Sequence, residues 1–203
     1  MSPPSERTVM GQSAEPLRIA IVLGSTRPGR RADLVGDWVL HQAVRREHAK
    51  FELVDLADYD LPLLDEPDPA IHGTYTRPHT RAWAERVAGF DGYLFVVPEY
   101  NRSIPAALKN ALDYLYAEWG DKAAGIVSYG VDAGGARAAE HLRGVLGELS
   151  VADVRATVAL SLMTEFADGA VAAPPHQSQK LEMLLDQLLS WSRALRGVRE
   201  GRR

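Results

Sequence analysis

A three-layer α/β sandwich on a parallel sheet is the fold class the sequence predicts, on three observations. Short apolar runs alternate with longer segments of helical periodicity. The runs are nearly continuous in Val, Ile, Leu and aromatic residues, as in strands covered by helices on both faces. No internal repeat and no long linker divides the chain.

The first run is residues 18–23, RIAIVL, and Leu34, Val35, Trp38 and Val39 then mark one face of a helix. Residues 51–56, FELVDL, predict a second strand, and Glu52 and Asp55 within it place that strand nearer the sheet edge. Pro67 and Pro69 lie in the following loop, before a second helix marked by Trp83, Val87 and Ala88. Residues 92–97, GYLFVV, are the third run. Pro105 suits the first turn of the next helix, where a missing N–H costs nothing, and Leu108, Ala111, Leu112 and Leu115 supply its apolar face. Residues 123–129 predict the fourth strand, and Ala139, Leu142, Val145, Leu146 and Leu149 the fourth helix. Residues 154–160 complete the strands. Beyond Pro174 and Pro175, a last helix carries Leu181, Leu184, Leu185, Leu188, Leu189 and Leu195. Residues 1–16 read as a disordered leader without a secretory apolar core, 17–196 as one domain, and the arginine-rich end, 197–203, as a frayed basic tail.

Composition narrows the function. Lys and Arg number 23 against 27 Asp and Glu, a net charge of −4 that offers no basic stripe to nucleic acid. No apolar run approaches the roughly 18 residues of a membrane span, so no membrane partner is expected and the cytoplasm is the default address. The absence of cysteine excludes disulfides, iron–sulfur clusters, thiolate zinc sites and a cysteine nucleophile. The histidines, at 41, 48, 72, 79, 141 and 176, form no H-x-x-x-H or H-E-x-x-H pair, so no metal is expected, and His141 reads as structural.

In such a sheet, ligands bind beyond the carboxyl ends of the strands, at the switch point of strand order. The loop after the first strand, GSTRPGRR, gathers hydroxyls, guanidinium groups and backbone N–H groups at a helix start, an arrangement suited to a phosphate. It lacks the second glycine of G-x-G-x-x-G. Gly24 and Gly29 have the spacing of a nucleotide-triphosphate loop, but Arg30 and Arg31 stand where lysine and a hydroxyl are needed, so a monophosphate without metal fits better. After the third strand, Pro98, Glu99, Tyr100, Asn101, Arg102 and Ser103 present an aromatic ring, an amide, hydroxyls and backbone donors suited to the polar edge of a flat heteroaromatic ring. After the fourth, Ser128, Tyr129 and Gly130 lead into Gly134-Gly135, which permits close backbone approach; Tyr129 either stacks on a ring or plugs the loop.

GSTRPGR followed by PEYNRSIPAALKNALDYL resembles the NADPH-dependent FMN reductase family of flavodoxin-like fold, which includes quinone-, chromate- and azo-compound-reducing members. The resemblance runs from about residue 18 to residue 149. It implies strand order 2-1-3-4-5 and non-covalent FMN, with its phosphate in loop 25–31 and its ring against 98–103 and 128–130. Ser25 and Arg27 match the family's G-S-x-R; Pro98, Glu99, Tyr100, Asn101 and Ser103 match its flavin loop; Ser128, Tyr129 and Gly130 line the third. Many members continue G-S-x-R-x-x-S-x-N, whereas Arg30 and Ala32 stand here, so Arg30 either adds a second charge to the phosphate or faces solvent.

The expected activity is hydride transfer from NADPH or NADH through FMN to a small-molecule electron acceptor, quinone-like or otherwise electron-poor, with ping-pong kinetics and no side chain acting as acid or nucleophile. A homodimer or homotetramer is implied, with the third and fourth helices as the candidate interface. Trp38, Trp83, Trp119 and Trp191 read first as packing residues, with Trp119 also a candidate for an interface near the flavin. Residues 161–176 exceed an ordinary connection and so lie over the site or against a neighbouring subunit. Two rivals remain. A serine hydrolase would use Ser128, Asp168 and His176, although G-x-S-x-G lacks its first glycine here. A flavin-binding electron carrier or redox sensor is disfavoured by Arg27 and the modest charge.

Overall fold

A computed structural model describes residues 15–201, so the leader falls outside the described residues except for Glu15 and Pro16. In chain order the elements are β1 (Leu17–Leu23), α1 (Ala32–Ala43), β2 (Ala49–Asp55), α2 (Pro78–Ala88), β3 (Gly92–Pro98), α3 (Ala106–Asp113), β4 (Lys122–Gly130), α4 (Ala136–Glu148), β5 (Val151–Ser161), β6 (Phe166–Ala167), β7 (Ala170–Val171) and α5 (Pro175–Arg199).

Strands β1 to β5 form one parallel sheet in the order β2-β1-β3-β4-β5, the order the family resemblance implies. β3 and β4 are buried along their whole length, whereas β2 buries only Val54 and stands at the edge. Alternation of side chains across the sheet divides the core in two. Ile19, Ile21, Leu94 and Val96 pack with Val35 and Val39 of α1 and Leu181, Leu184 and Leu188 of α5. Ala20, Val22, Tyr93 and Phe95 pack with Trp83, Leu108, Leu112 and Leu142 of the three helices on the opposite side. The chain reverses its direction of travel across the sheet between β1 and β3, so the loops following them lie side by side.

Several expectations need correction. Ala88 is exposed, and Ala84, one turn earlier, takes its place on the buried face of α2. Pro105 is the residue before α3 and not its first turn. Trp119 is buried in the core of the chain: its indole N–H donates to the Leu112 carbonyl at 3.2 Å, and its ring packs 4.9 Å from Tyr93 and 6.0 Å from Trp83. The arginine-rich end is not frayed from residue 197, because α5 continues to Arg199. Arg196 and Arg199 both pair with Asp91 just before β3, and Arg196 also donates to the carbonyls of Glu15 and Pro16. Burial alone would raise the Asp91 pKa; hydrogen bonds from Arg196 and the Arg18 N–H outweigh it and hold the carboxyl below its usual range.

The 161–176 segment folds into the β6/β7 hairpin. The Leu162 N–H donates to the Gly130 carbonyl at 2.9 Å, so the hairpin stands at the carboxyl end of the sheet beside the loops of interest.

Candidate functional site

The β1–α1 loop starts with a close approach. The Gly24 N–H donates to the Val96 carbonyl at 2.9 Å, and a Cβ at Gly24 would lie 3.0 Å from that oxygen and 3.1 Å from Leu108, so only glycine fits without displacement. The chain then turns Ser25 inward. Its fully buried hydroxyl accepts the Arg27 N–H at 3.3 Å and lies 2.8 Å from the Tyr100 hydroxyl. The exposed Arg27 guanidinium curls over the loop, with Nε donating to the Tyr100 oxygen at 3.3 Å and its terminal nitrogens to the Pro28 and Gly29 carbonyls.

Arg30 takes neither expected position. It is turned inward, donating to the Ser25 carbonyl at 2.8 Å and pairing with Asp33 and Asp55. The hydrogen bond to Asp33 outweighs burial and keeps its pKa above the usual guanidinium value.

The β3–α3 loop starts at Pro98, buried at the end of its strand, and Glu99, whose N–H donates to the Tyr129 carbonyl. The Glu99 carboxylate accepts the Arg137 N–H at 3.1 Å and pairs with the Arg137 guanidinium at 2.7 Å, tying this loop to the start of α4. Tyr100 and Ser103 then exchange two backbone hydrogen bonds of 3.0 Å across Asn101 (φ 50°) and Arg102 (φ 68°). Two left-handed residues closing an antiparallel pair are a type I′ turn. Asparagine tolerates that conformation; arginine does so only where the surroundings impose it. Among the described residues, the N–H groups of Asn101 and Arg102 have no acceptor and remain as donors.

The β4–α4 loop is compressed. Ser128 is fully buried and donates to the Gly134 carbonyl at 2.8 Å. Gly134 (φ 60°) and Gly135 (φ 81°) touch neighbouring backbone so closely that a Cβ would stand 2.6 Å from Ala159 and 2.7 Å from the Tyr129 carbonyl oxygen. A Cβ at Gly130 would stand 2.9 Å from the Gly135 nitrogen. Tyr129 is 3% exposed and so plugs the loop. Burial keeps its pKa well above the ordinary phenol value.

The fold therefore brings Ser25, Arg27 and Tyr100 into direct contact and sets Asn101 and Ser103 on one turn beside them. The hydroxyl of Ser128 and the carboxylate of Glu99 are engaged in holding loops together. Sequence reasoning missed Arg137, and it missed His141 as a partner of the flavin loop: His141 Nδ1 lies 2.6 Å from the Ser103 hydroxyl. Local spacing carries no signal for either contact, which depends on α4 packing beside β3. A hydrolase is untenable, because the Ser128 hydroxyl is sealed in the core while Asp168 and His176 are exposed. A cavity of about 860 Å³ is at the wrong end of the sheet, around Leu17, Arg18 and Asp91, where Arg18, Arg196 and Arg199 already have carboxylate partners. Strand polarity is the better guide to the site.

An exposed guanidinium, hydroxyls, free backbone donors and glycine-forced close approach fit a phosphomonoester joined to a flat polar ring. With the 2-1-3-4-5 sheet, they define a flavodoxin-like protein for a flavin mononucleotide. Residues 17–165 match the model of the NADPH-dependent FMN reductase family, and the chain belongs to it. It is 42% identical over 147 residues to an NAD(P)H-dependent FMN reductase of Schizosaccharomyces pombe, covering 71% of this chain and 73% of that protein. It is 35% identical over 150 residues to a 2-hydroxy-1,4-benzoquinone reductase of a Burkholderia species, covering 66% and 73%. A flavoenzyme NAD(P)H:(acceptor) oxidoreductase of Paracoccus denitrificans shares the fold at a TM-score of 0.65 and 23% identity, covering 88% of this chain and 98% of that one. The activity class that follows is FMN-dependent NAD(P)H oxidoreductase.

Proposed function

We propose that the chain reduces small, electron-poor acceptors of the quinone type, with FMN held by its phosphate over loop 25–31 and by its ring against the Tyr100–Ser103 turn. The observation that carries this reading is the convergence of the Ser25 hydroxyl, the Tyr100 hydroxyl and the Arg27 guanidinium at the switch point. Bound FMN would supply the redox chemistry that links NAD(P)H to the acceptor.

The protein's own work is orientation. The exposed Arg27 guanidinium would bind the phosphate by charge-assisted hydrogen bonds, while the buried Ser25 hydroxyl, joined to Tyr100 and the Arg27 N–H, holds the loop that carries it. The free N–H groups of the type I′ turn and the Asn101 amide would hold the polar edge of the ring. Pro98, Tyr129 and Gly130 wall the site, while Glu99 with Arg137, Ser103 with His141, and Ser128 with Gly134 keep the three loops in register. Turnover by such a site would be ping-pong, with donor and acceptor bound in turn.

A homo-oligomer formed through α3 and α4 and a cytoplasmic location belong to the same proposal. The described residues include no helix long and apolar enough to cross a membrane. The test is the absorption spectrum of the purified protein and of its heat-released cofactor. Expected are a band near ~450 nm that NADPH bleaches and a benzoquinone restores, and FMN as the released flavin. Released FAD, or a flavin that NAD(P)H leaves oxidised, overturns the reading, the second result in favour of an electron carrier.

A further inference from the structure

Three arginines stand in the loop assigned to the phosphate, and they differ in what they have left to offer. Arg27 is exposed and rests on exchangeable carbonyl contacts. Arg30 is surrounded by Asp33 and Asp55, so the trio carries net negative charge and its donors are turned into the protein. The Arg31 carbonyl accepts the Val35 N–H, but its guanidinium makes no hydrogen bond or ion pair among the described residues; the guanidinium carbon lies 5.3 Å over the Phe166 ring. Stacking on an aromatic face leaves all in-plane N–H donors of a guanidinium available. Arg31 is also the residue immediately before α1, where no side chain caps the helix.

Tyr129 meets the same Phe166 ring, and its hydroxyl is buried with no partner among the described residues. An unmatched buried hydroxyl is costly and native structures normally avoid it. Tyr129 is the penultimate residue of β4, so it stands at the carboxyl end of the sheet, the end that carries the phosphate loop. Burial keeps it protonated, so it is a donor.

We infer that Arg31 is the second cation of the phosphate cradle and the Tyr129 hydroxyl its buried neutral donor, both positioned by Phe166 of the β6/β7 hairpin, with Arg30 a brace of the loop. The inference rests on the reading that the FMN phosphate lies over loop 25–31. It gives the hairpin a purpose. Phe166 reaches Arg31 in the loop after β1 and Tyr129 near the carboxyl end of β4, two strands that flank β3.

The test is titration of the flavin-stripped full chain with FMN and with riboflavin, followed by quenching of flavin fluorescence at two salt concentrations. Arg31→Ala is expected to weaken FMN about tenfold, leave riboflavin within about twofold, and flatten the salt dependence, as loss of one charge-assisted contact should. Tyr129→Phe is expected to weaken FMN several-fold and spare riboflavin. Arg27→Ala serves as the control for the phosphate position. If Arg27→Ala is selective for FMN while Arg31→Ala and Tyr129→Phe are not, the inference falls and the phosphate assignment stands. A selective effect at Arg31 with none at Tyr129 removes the hydroxyl from the cradle. If neither Arg27→Ala nor Arg31→Ala separates the two flavins, the phosphate lies elsewhere and both readings fall. Both exposed arginines can be removed without opening the core, and a melting curve for each variant confirms that the fold is intact.

Discussion

The Tyr100 hydroxyl lies 2.8 Å from the Ser25 hydroxyl, across 75 residues of chain. One hydrogen bond thus joins the loop assigned to the phosphate to the loop assigned to the ring, and Arg27 donates to the same phenolic oxygen. Tyr100→Phe removes the shared oxygen and leaves the ring. The expected cost is about 1 kcal/mol, a fall in Tm of about 2–4 °C for a chain of this size. FMN affinity should drop by about fivefold with it, since the two loops lose their common reference. Calorimetry and flavin titration check both; an unchanged melt with unchanged affinity would leave the bond without consequence.

The type I′ turn lets the backbone and side-chain roles of Asn101 be separated. Alanine resists φ of 50°, so Asn101→Ala should lose about 1 kcal/mol of stability as well as the amide. Asn101→Gly keeps the turn and removes only the amide. If the amide binds the flavin, both variants bind it weakly; if glycine restores full affinity, Asn101 acts through backbone shape alone.

Gly134 and Gly144 have opposite surroundings. A methyl group at Gly134 meets the Ala159 backbone at 2.6 Å in a left-handed conformation, so Gly134→Ala should cost more than about 2 kcal/mol and displace the Ser128 contact. Gly144, inside α4 with open space around it, should gain about 0.5–1 kcal/mol on substitution by alanine. Urea denaturation of the two variants reads the contrast directly.

Lys122 supplies a pH dependence remote from the site. It is 4% exposed, donating to the Val87 carbonyl at 3.0 Å, the Ala88 carbonyl at 3.3 Å and the Tyr93 oxygen at 3.0 Å, and burial lowers its pKa from 10.5 to about 7. Between those values the unfolded chain holds a proton that the folded chain has released, so stability rises with pH through that window. Below about pH 7 the lysine contribution is flat. The slope should reach on the order of 1 kcal/mol per pH unit at most, and Lys122→Met should abolish it. Urea midpoints at pH 7 and pH 9 for both proteins test the difference; equal slopes would show that Lys122 titrates as an ordinary exposed lysine.

Much of this protein is determined by its sequence alone. Continuous runs such as GYLFVV can be satisfied only by strands covered on both faces, and FELVDL, with Glu52 and Asp55, only by an edge. Helix faces follow from spacing, and the glycines and the PEYNRS motif mark the loops where a ligand belongs, because pattern and turn chemistry are local properties. Partners are not local. Tertiary structure decided that Arg30 meets Asp55, that Glu99 meets Arg137, that Arg196 and Arg199 converge on Asp91, and that Arg31 and Tyr129 share Phe166. The sheet sets these meetings: strand order and register choose which loops become neighbours, and only then does each charge find its counter-charge or remain free for a ligand.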